Sequence, residues 1–254
     1  MSTRWLDIDG MHNVRDLGGV PLRDGETSFG VVVRGETVVH LTPDGAEVLR
    51  RYGVGRVLDL REKSERATDG DGVLADAYDR RELVHENVPL AGGPVSDDPV
   101  GRVHDGGTIA DRYLHYLDNG GARLAGAIAR AAWDPSAAYV HCAVGKDRTG
   151  IVCALLLDLA GADADVIVDD YLMTAQRFVP VVLALGARPA YAHMGLPDWA
   201  AQAPNPDAMR EFVHGLAVLG GARGWLQQHG AEADTLDLLL SRLQGEAASA
   251  RRAV

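Results

Sequence analysis

The chain has 254 residues, 46% of them hydrophobic and 24% charged, with a formal net charge of −11. That balance excludes a disordered polymer and gives enough apolar side chain for one large core. There is no basic stripe to neutralise a nucleic-acid backbone, so nucleic acid is not an expected partner.

Two cysteines, Cys142 and Cys153, provide no disulfide framework, and the composition suits a reducing compartment. MSTRWLDIDG lacks the charged-then-apolar pattern of a secretion signal, and no run of eighteen apolar residues suggests a membrane span. The default location is cytoplasmic, with signal-independent export as the alternative. We expect one domain over residues 1–254.

In chain order, NVRDLGG (Asn13 to Gly19) precedes FGVVVRGETVV, whose β-branched residues and glycines predict short strands or a hairpin. LTPDGAEVLRRYG predicts a short helix, with Thr42 as N-cap, Pro43 at its first position and Gly53 at its end. VGRVLDLRE, LVHENVPL and AAYVHC read as strands. Between the last two, TIADRYLHYLDNGGARLAGAIARAAW has apolar positions at three and four residue spacing, predicting one or two helices broken near Asn119 to Gly121. IVCALLLDLAG is apolar almost all round and predicts a buried helix stopped at Gly161. Residues 172–221 turn rich in Ala, Pro and Gly and read as an insertion or helical lid. GWLQQHGAEADTLDLLLSRL is helical by periodicity, and residues 245–254 read as a fraying tail. Alternation of strand and helix predicts an α/β fold with a central, mostly parallel sheet flanked by helices.

The chemistry concentrates in HCAVGKDRTG, residues 141–150. A strand ends near His141 and a helix starts near Arg148 or Thr149, so the loop presents amides of a helix N-terminus that have no intrahelical partner. Ala143, Val144, Gly145, Lys146, Asp147 and Arg148 can thus cradle a tetrahedral anion, and Gly145 lets the backbone curl. The same amides and a nearby guanidinium favour a thiolate over a thiol at Cys142. Arg148 offers a planar fork for two phosphoryl oxygens, Lys146 a point charge at the rim, and Thr149 a hydroxyl to stabilise the departing sulfur. Together they predict hydrolysis of a phosphate monoester through a cysteinyl-phosphate. A nucleotide-binding P-loop would need Gly at Val140 and Ser or Thr at Asp147, and fails at both.

These residues resemble the bacterial atypical protein tyrosine phosphatases that carry an HCxxGKDRTG loop. NVRDLGG, VLDLREKSE, DDYLMT and the C-terminal GGARGWLQQHGAEADTLDLLLSRL resemble further segments of that family, so the likeness extends from about residue 13 to residue 243. The resemblance implies the cysteine phosphatase fold, a two-helix lid, and phosphotyrosine as leading substrate. Phosphoserine, phosphothreonine and phosphoinositides are further substrates that it implies, with inorganic phosphate as product.

The general acid is the open assignment. No Trp-Pro-Asp loop precedes the cysteine; WDP (Trp133 to Pro135) has the wrong order and LPDW (Leu196 to Trp199) lies after the loop. Asp147 is the first candidate, its competing reading a structural carboxylate that orients Arg148 or accepts loop amides; Asp97 and Asp98 are alternatives. His141 is expected to fix the loop. Arg15 and Asp16 either tie down the N-terminal segment or face the pocket, and Arg61 either faces the pocket or pairs with Glu65. Cys153 reads as packing. Histidine spacing and DADVIVDD match no metal motif, and neither metal nor other cofactor is expected. The rival classes are a phosphate-binding module without turnover and a sulfur-transfer enzyme.

Overall fold

The computed structural model describes residues 3–90, 108–132, 135–190 and 202–245. Five strands form one sheet in the order β1-β2-β5-β3-β4. They are β1 (Arg15–Asp16), β2 (Val32–Gly35), β3 (Val54–Asp59), β4 (Val84–Asn87) and β5 (Ala137–His141). All pairings are parallel except β1 with β2. The fold is therefore α/β with a mostly parallel sheet, as the alternating pattern predicts.

Side chains alternate across the strands and divide the core into two layers. Val32, Leu58, Ala138 and Val140 face one apolar cluster, together with the buried helix α6 (Asp147–Ala160). That cluster is completed by α4 (Ile109–Asn119), α5 (Gly121–Ala132), α7 (Ala164–Leu172), α9 (Pro206–Val218), α10 (Gly221–Gln228) and α11 (Ala233–Leu243). Val33, Val57, Ala137 and Tyr139 face the other, against Ile8, Val14 and Leu49 of α1 (Pro43–Tyr52). Thr42 caps α1 by accepting from the Gly45 amide at 3.1 Å, and Gly53 ends it in the left-handed region at φ 98°.

Two stretches differ from the sequence reading. Val38–His40 is a 3-10 helix and not the return strand of a hairpin, because Glu36 and Thr37 are drawn under the 141–150 loop: the Thr37 amide donates to Ala143 O at 3.0 Å. The polar segments Lys63–Asp69 (α2) and Ala75–Asp79 (α3) are helical although they carry no apolar periodicity. A reciprocal pair starts α2, in which the Glu62 amide donates to Glu65 Oε2 at 2.6 Å. After Met173–Arg177, a 3-10 turn, the chain enters α8 (Phe178–Gly186), the first part of the expected lid. No helix among the described residues is long and apolar enough to cross a membrane.

Candidate active site

β5 runs between β2 and β3, so its C-terminal end emerges at the middle of the sheet, with His141 beside Gly35 on one side and Asp59 on the other. Open α/β sheets bind ligands at this edge. Gly35 is required there: a Cβ would lie 2.2 Å from Tyr139 Oη, which donates to Glu36 O at 2.7 Å.

The loop after β5 is held by its carbonyl groups. Cys142 O accepts from His141 Nδ1 at 3.1 Å, Ala143 O from the Thr37 amide at 3.0 Å, and Val144 O from Asn13 Nδ2 at 3.1 Å. Gly145 O accepts from Arg34 Nη2 at 3.0 Å, and Lys146 O from the Gly150 amide at 2.9 Å. A planar trans peptide carries its N–H on the side opposite its C=O. The amides of Ala143 through Asp147 are thus directed away from these partners, and among the described residues they donate to no protein group. Gly145 makes the bend at φ 75°, where a Cβ would meet the Gly35 backbone at 2.4 Å.

Behind the loop stands an ionic cluster. Asp170 of α7 accepts from Arg4, from Arg34 Nη1 at 2.5 Å and from Arg15 Nε at 3.4 Å. Burial pushes the Asp170 carboxyl up, but Arg15, Arg34 and Arg4 outweigh it and hold it far below the usual carboxylate range. Arg15, fully buried, also donates to Asn13 Oδ1 at 3.0 Å and to Asp170 O at 2.6 Å, so it braces the asparagine that holds Val144. Asp16 accepts from the Gly18 and Gly30 amides at 2.5 and 2.8 Å and from the Tyr52 hydroxyl at 2.5 Å. Of the two readings for Arg15 and Asp16, these contacts favour the N-terminal tie.

Cys142 is 3% exposed, and the Arg148 guanidinium lies near enough to the sulfur to interact with it electrostatically. Arg148 is fixed by Glu65, Nη1 donating to Oε2 at 2.5 Å and Nη2 to Oε1 at 2.9 Å. The sequence offers Glu65 as a partner for Arg61. Instead Glu65 holds Arg148, while Arg61 finds Asp59 at 2.7 Å and Asp71 at 3.3 Å. The reason is positional: the α2 N-terminus turns Glu65 toward the loop, whereas Arg61 folds back along its own strand.

His141 is fully buried and held neutral, its pKa pushed down to about 4 by burial against the opposing pull of Asp59. Because Cys142 O can only accept, Nδ1 carries the hydrogen. Thr149 Oγ1 is buried and has no hydrogen-bond partner among the described residues, so the expected donation to sulfur is not made in this arrangement. Lys146 does not stand at an open rim. It is 2% exposed, donates to Gln202 O at 2.5 Å and lies 5.3 Å from the Phe178 ring centre. The cause is α8: Phe178, Val181, Val182 and Leu185 form one apolar cluster with Ala143 and Val144.

Asp147 starts α6. Its Oδ1 accepts from the Tyr113 hydroxyl at 2.5 Å and from Arg112 Nη2 at 3.4 Å, and Oδ2 lies 3.5 Å from Lys146 Nζ. Burial pushes this carboxyl up, but Lys146, Arg112, the Tyr113 hydroxyl and Arg148 together draw it below its ordinary value. Asp97 and Asp98, Trp133, and the LPDW stretch lie outside the described residues. Cys153 is packed inside α6, its thiol pushed up to about 11 by burial.

Asp59, Asp71 and His85 bring three potential metal-ligand atoms within 4.8 Å of one another, a grouping that sequence spacing did not reveal. Arg61 and Arg66 already occupy the two carboxylates, Arg66 reaching Asp71 at 2.6 Å, and these cations oppose a metal ion there. The sequence does not announce the roles of Arg34 and Tyr113, and it offers Glu65 and Asp170 only within VLDLREKSE and DDYLMT, without the partners they take. The local signal for Arg34 is a charged residue within a strand-like apolar run, VVVRG.

Residues 6–245 match the model of the tyrosine phosphatase family. The chain belongs to that family. It is 29% identical over 226 residues to a tyrosine-protein phosphatase of Nostoc commune, covering 83% of this chain and 73% of that one. It is 30% identical over 197 residues to the triple specificity protein phosphatase PtpB of Mycobacterium tuberculosis, covering 65% of this chain and 67% of the relative. As a member of the family the protein is a phosphatase: it takes a phosphorylated substrate and releases inorganic phosphate.

Proposed function

We propose that Cys142 is the nucleophile and that the amides of Ala143 to Asp147, with Arg148, receive the phosphoryl group. The observation that carries this reading is the outward fastening of five successive carbonyls by His141, Thr37, Asn13, Arg34 and Gly150. Such fastening pre-organises donors toward charge that develops during reaction, and so needs no rearrangement when that charge appears. Glu65 fixes the plane of the Arg148 guanidinium, which neutralises the equatorial oxygens.

In the first step Cys142 Sγ attacks phosphorus, the P–O bond of the ester breaks, and Asp147 supplies the proton to the leaving oxygen. A bound phosphate dianion works against Lys146, Arg112 and Arg148 and pushes the Asp147 carboxyl up, so that it can be protonated at the moment it is needed. In the second step water attacks phosphorus, Asp147 takes its proton, and sulfur departs as a thiolate stabilised by Arg148. A buried hydroxyl without a partner costs about 1–3 kcal/mol. Thr149 therefore serves as a donor reserved for the departing sulfur.

Phosphotyrosine is the leading substrate. The triple specificity named for the mycobacterial relative supports a second breadth, toward phosphoserine and phosphothreonine, and phosphoinositides complete the set to be tested. Within the 172–221 stretch we read α8 as lid, supported by its packing on Ala143 and Val144, whereas α9 at the end of that stretch lies in the main core through Met209, Phe212 and Leu216; residues 1–254 we read as one domain. The two thiols, both buried and free, fit a reducing, cytoplasmic setting.

The test is side-by-side turnover of a phosphotyrosine peptide, a phosphoserine peptide and a phosphoinositide, with an aryl phosphate for rapid kinetics. A burst of product followed by steady hydrolysis is expected, and Cys142→Ser should lower kcat by roughly 10⁴-fold or more. Saturable phosphate binding with no release would favour a binding module instead.

A further inference from the structure

A row of buried hydroxyls leads away from Asp147. Tyr113 of α4 donates to Asp147 Oδ1 at 2.5 Å, and its oxygen lies 2.9 Å from the hydroxyl of Tyr171 on α7. The Asn205 amide, at the N-terminus of α9, donates to the Tyr171 hydroxyl at 3.2 Å. One placement of hydrogens satisfies all three links. An amide N–H only donates, so Tyr171 accepts from Asn205; a carboxylate only accepts, so Tyr113 donates to Asp147 and must itself accept from Tyr171. The chain has a direction, from Asn205 through Tyr171 and Tyr113 to Oδ1.

Packing holds it in place. Tyr113 and Tyr171 are fully buried, and their rings meet edge to face at 6.2 Å and 87°. Among the described residues, the charged or titratable groups that face Asp147 include Lys146 and Arg148 from the loop and α6, Arg112, Tyr113 and Tyr116 from α4, and Tyr171 from α7. Arg112 adds a second donor to Oδ1 at 3.4 Å. Oδ2, by contrast, lies 3.5 Å from Nζ of the preceding residue, Lys146.

We propose that Tyr113, oriented by Tyr171, is a positioning residue that keeps Oδ1 of Asp147 an acceptor and so confines the acid's proton to Oδ2. The proposal rests on the reading of Asp147 as general acid. A proton on Oδ1 would have to displace the Tyr113 hydrogen toward Tyr171, which already accepts from the Asn205 amide, and would leave the Tyr171 hydrogen with no acceptor in the row. In the first step the Oδ2–H bond breaks and its proton passes to the ester oxygen as that oxygen leaves phosphorus. The S–P bond forms in the same step, and Asp147 is left as a carboxylate that Tyr113 stabilises. In the second step Oδ2 recovers a proton from the attacking water while the S–P bond breaks.

The experiment measures kcat against pH for the wild type, Tyr113→Phe, Tyr171→Phe and Asp147→Asn, using aryl phosphates whose leaving groups span a range of acidity. Removing the Tyr113 donor destabilises the Asp147 carboxylate, so Tyr113→Phe should move the high-pH limb upward by about one pH unit. It should also lower kcat about tenfold for the poorest leaving group while sparing the best one. Tyr171→Phe should do the same to a smaller extent, and it decides the matter if Tyr113→Phe does not fold. A wild-type limb and wild-type leaving-group dependence in both tyrosine variants, while Asp147→Asn loses the limb, would overturn the proposal and leave the acid assignment standing. An intact limb in Asp147→Asn would overturn both.

Discussion

Behind residues 142–146, the protein is held by charge: Asp170 gathers Arg4, Arg15 and Arg34, and Arg34 and Asn13 reach the loop carbonyls. In front of the same residues, α8 rests on Ala143 and Val144 through Phe178, Val181, Val182 and Leu185, with the Lys146 ammonium over the Phe178 ring. A buried ion cluster is directional and expensive to rearrange, because each charge left alone stays desolvated. Apolar contacts are nondirectional and can be remade after a shift. The two faces of the loop therefore suit opposite tasks: the rear fixes where the amides point, and the front suits the lid proposed above.

Breaking the rear should have the largest effect. Asp170→Asn leaves three guanidiniums facing one another without their carboxylate, and we expect a loss of about 3–5 kcal/mol in denaturant unfolding. Next comes pH. The unfolded chain protonates histidine near its ordinary pKa of 6.5, whereas folded His141 resists until about pH 4. A base depressed on folding contributes stability above pH 6.5 that is lost as pH falls toward 4, on the order of 3 kcal/mol. Unfolding midpoints at pH 7 and pH 4.5 should show this loss in the wild type and a flatter response in His141→Asn.

Gly145→Ala tests the bend itself and should cost about 1–3 kcal/mol, with turnover reduced about 100-fold through misdirected amides. On the front, Phe178→Ala should cost at most about 2 kcal/mol because α8 can settle into the gap, and should change KM more than kcat. The smallest effect belongs to the outer surface of α8, where Val179 and Leu183 are 52% and 57% exposed. Changing both to Ser should alter stability by no more than about 0.5 kcal/mol. If that variant were as damaging as Asp170→Asn, the contrast between the two faces would be lost.

The front and rear also differ in how far the sequence discloses them. The loop is legible because Cys142, Gly145, Arg148 and Thr149 fall within eight residues between a strand-like run and an apolar helix, a spacing that suits phosphate chemistry. The strands, α1 and α6 follow from apolar runs and from Thr42, Gly53 and Gly161 as punctuation. The supports of the loop come from residues more than one hundred positions away, as with Arg34 on Gly145 and Asn13 on Val144, and nothing local announces such pairings. Glu65 is hidden for a related reason: its helix is short and polar, stabilised by its own capping pair instead of an apolar stripe. Tyr113 reads in sequence as one more core aromatic of α4, and only the fold reveals that its hydroxyl reaches Asp147.

The close approach of Gly145 to Gly35 has a consequence for how activity arises as the protein is made. The space that shapes the anion cradle is bounded by backbone from β2, so the curvature of residues 142–146 is borrowed from a strand synthesised long before them. A peptide of residues 141–150 alone would carry every reactive group and still have no defined receptor for phosphate. On the proposed assignment, hydrolytic competence requires β5 docked beside β2, and a nascent or nicked chain lacking that docking should show no turnover.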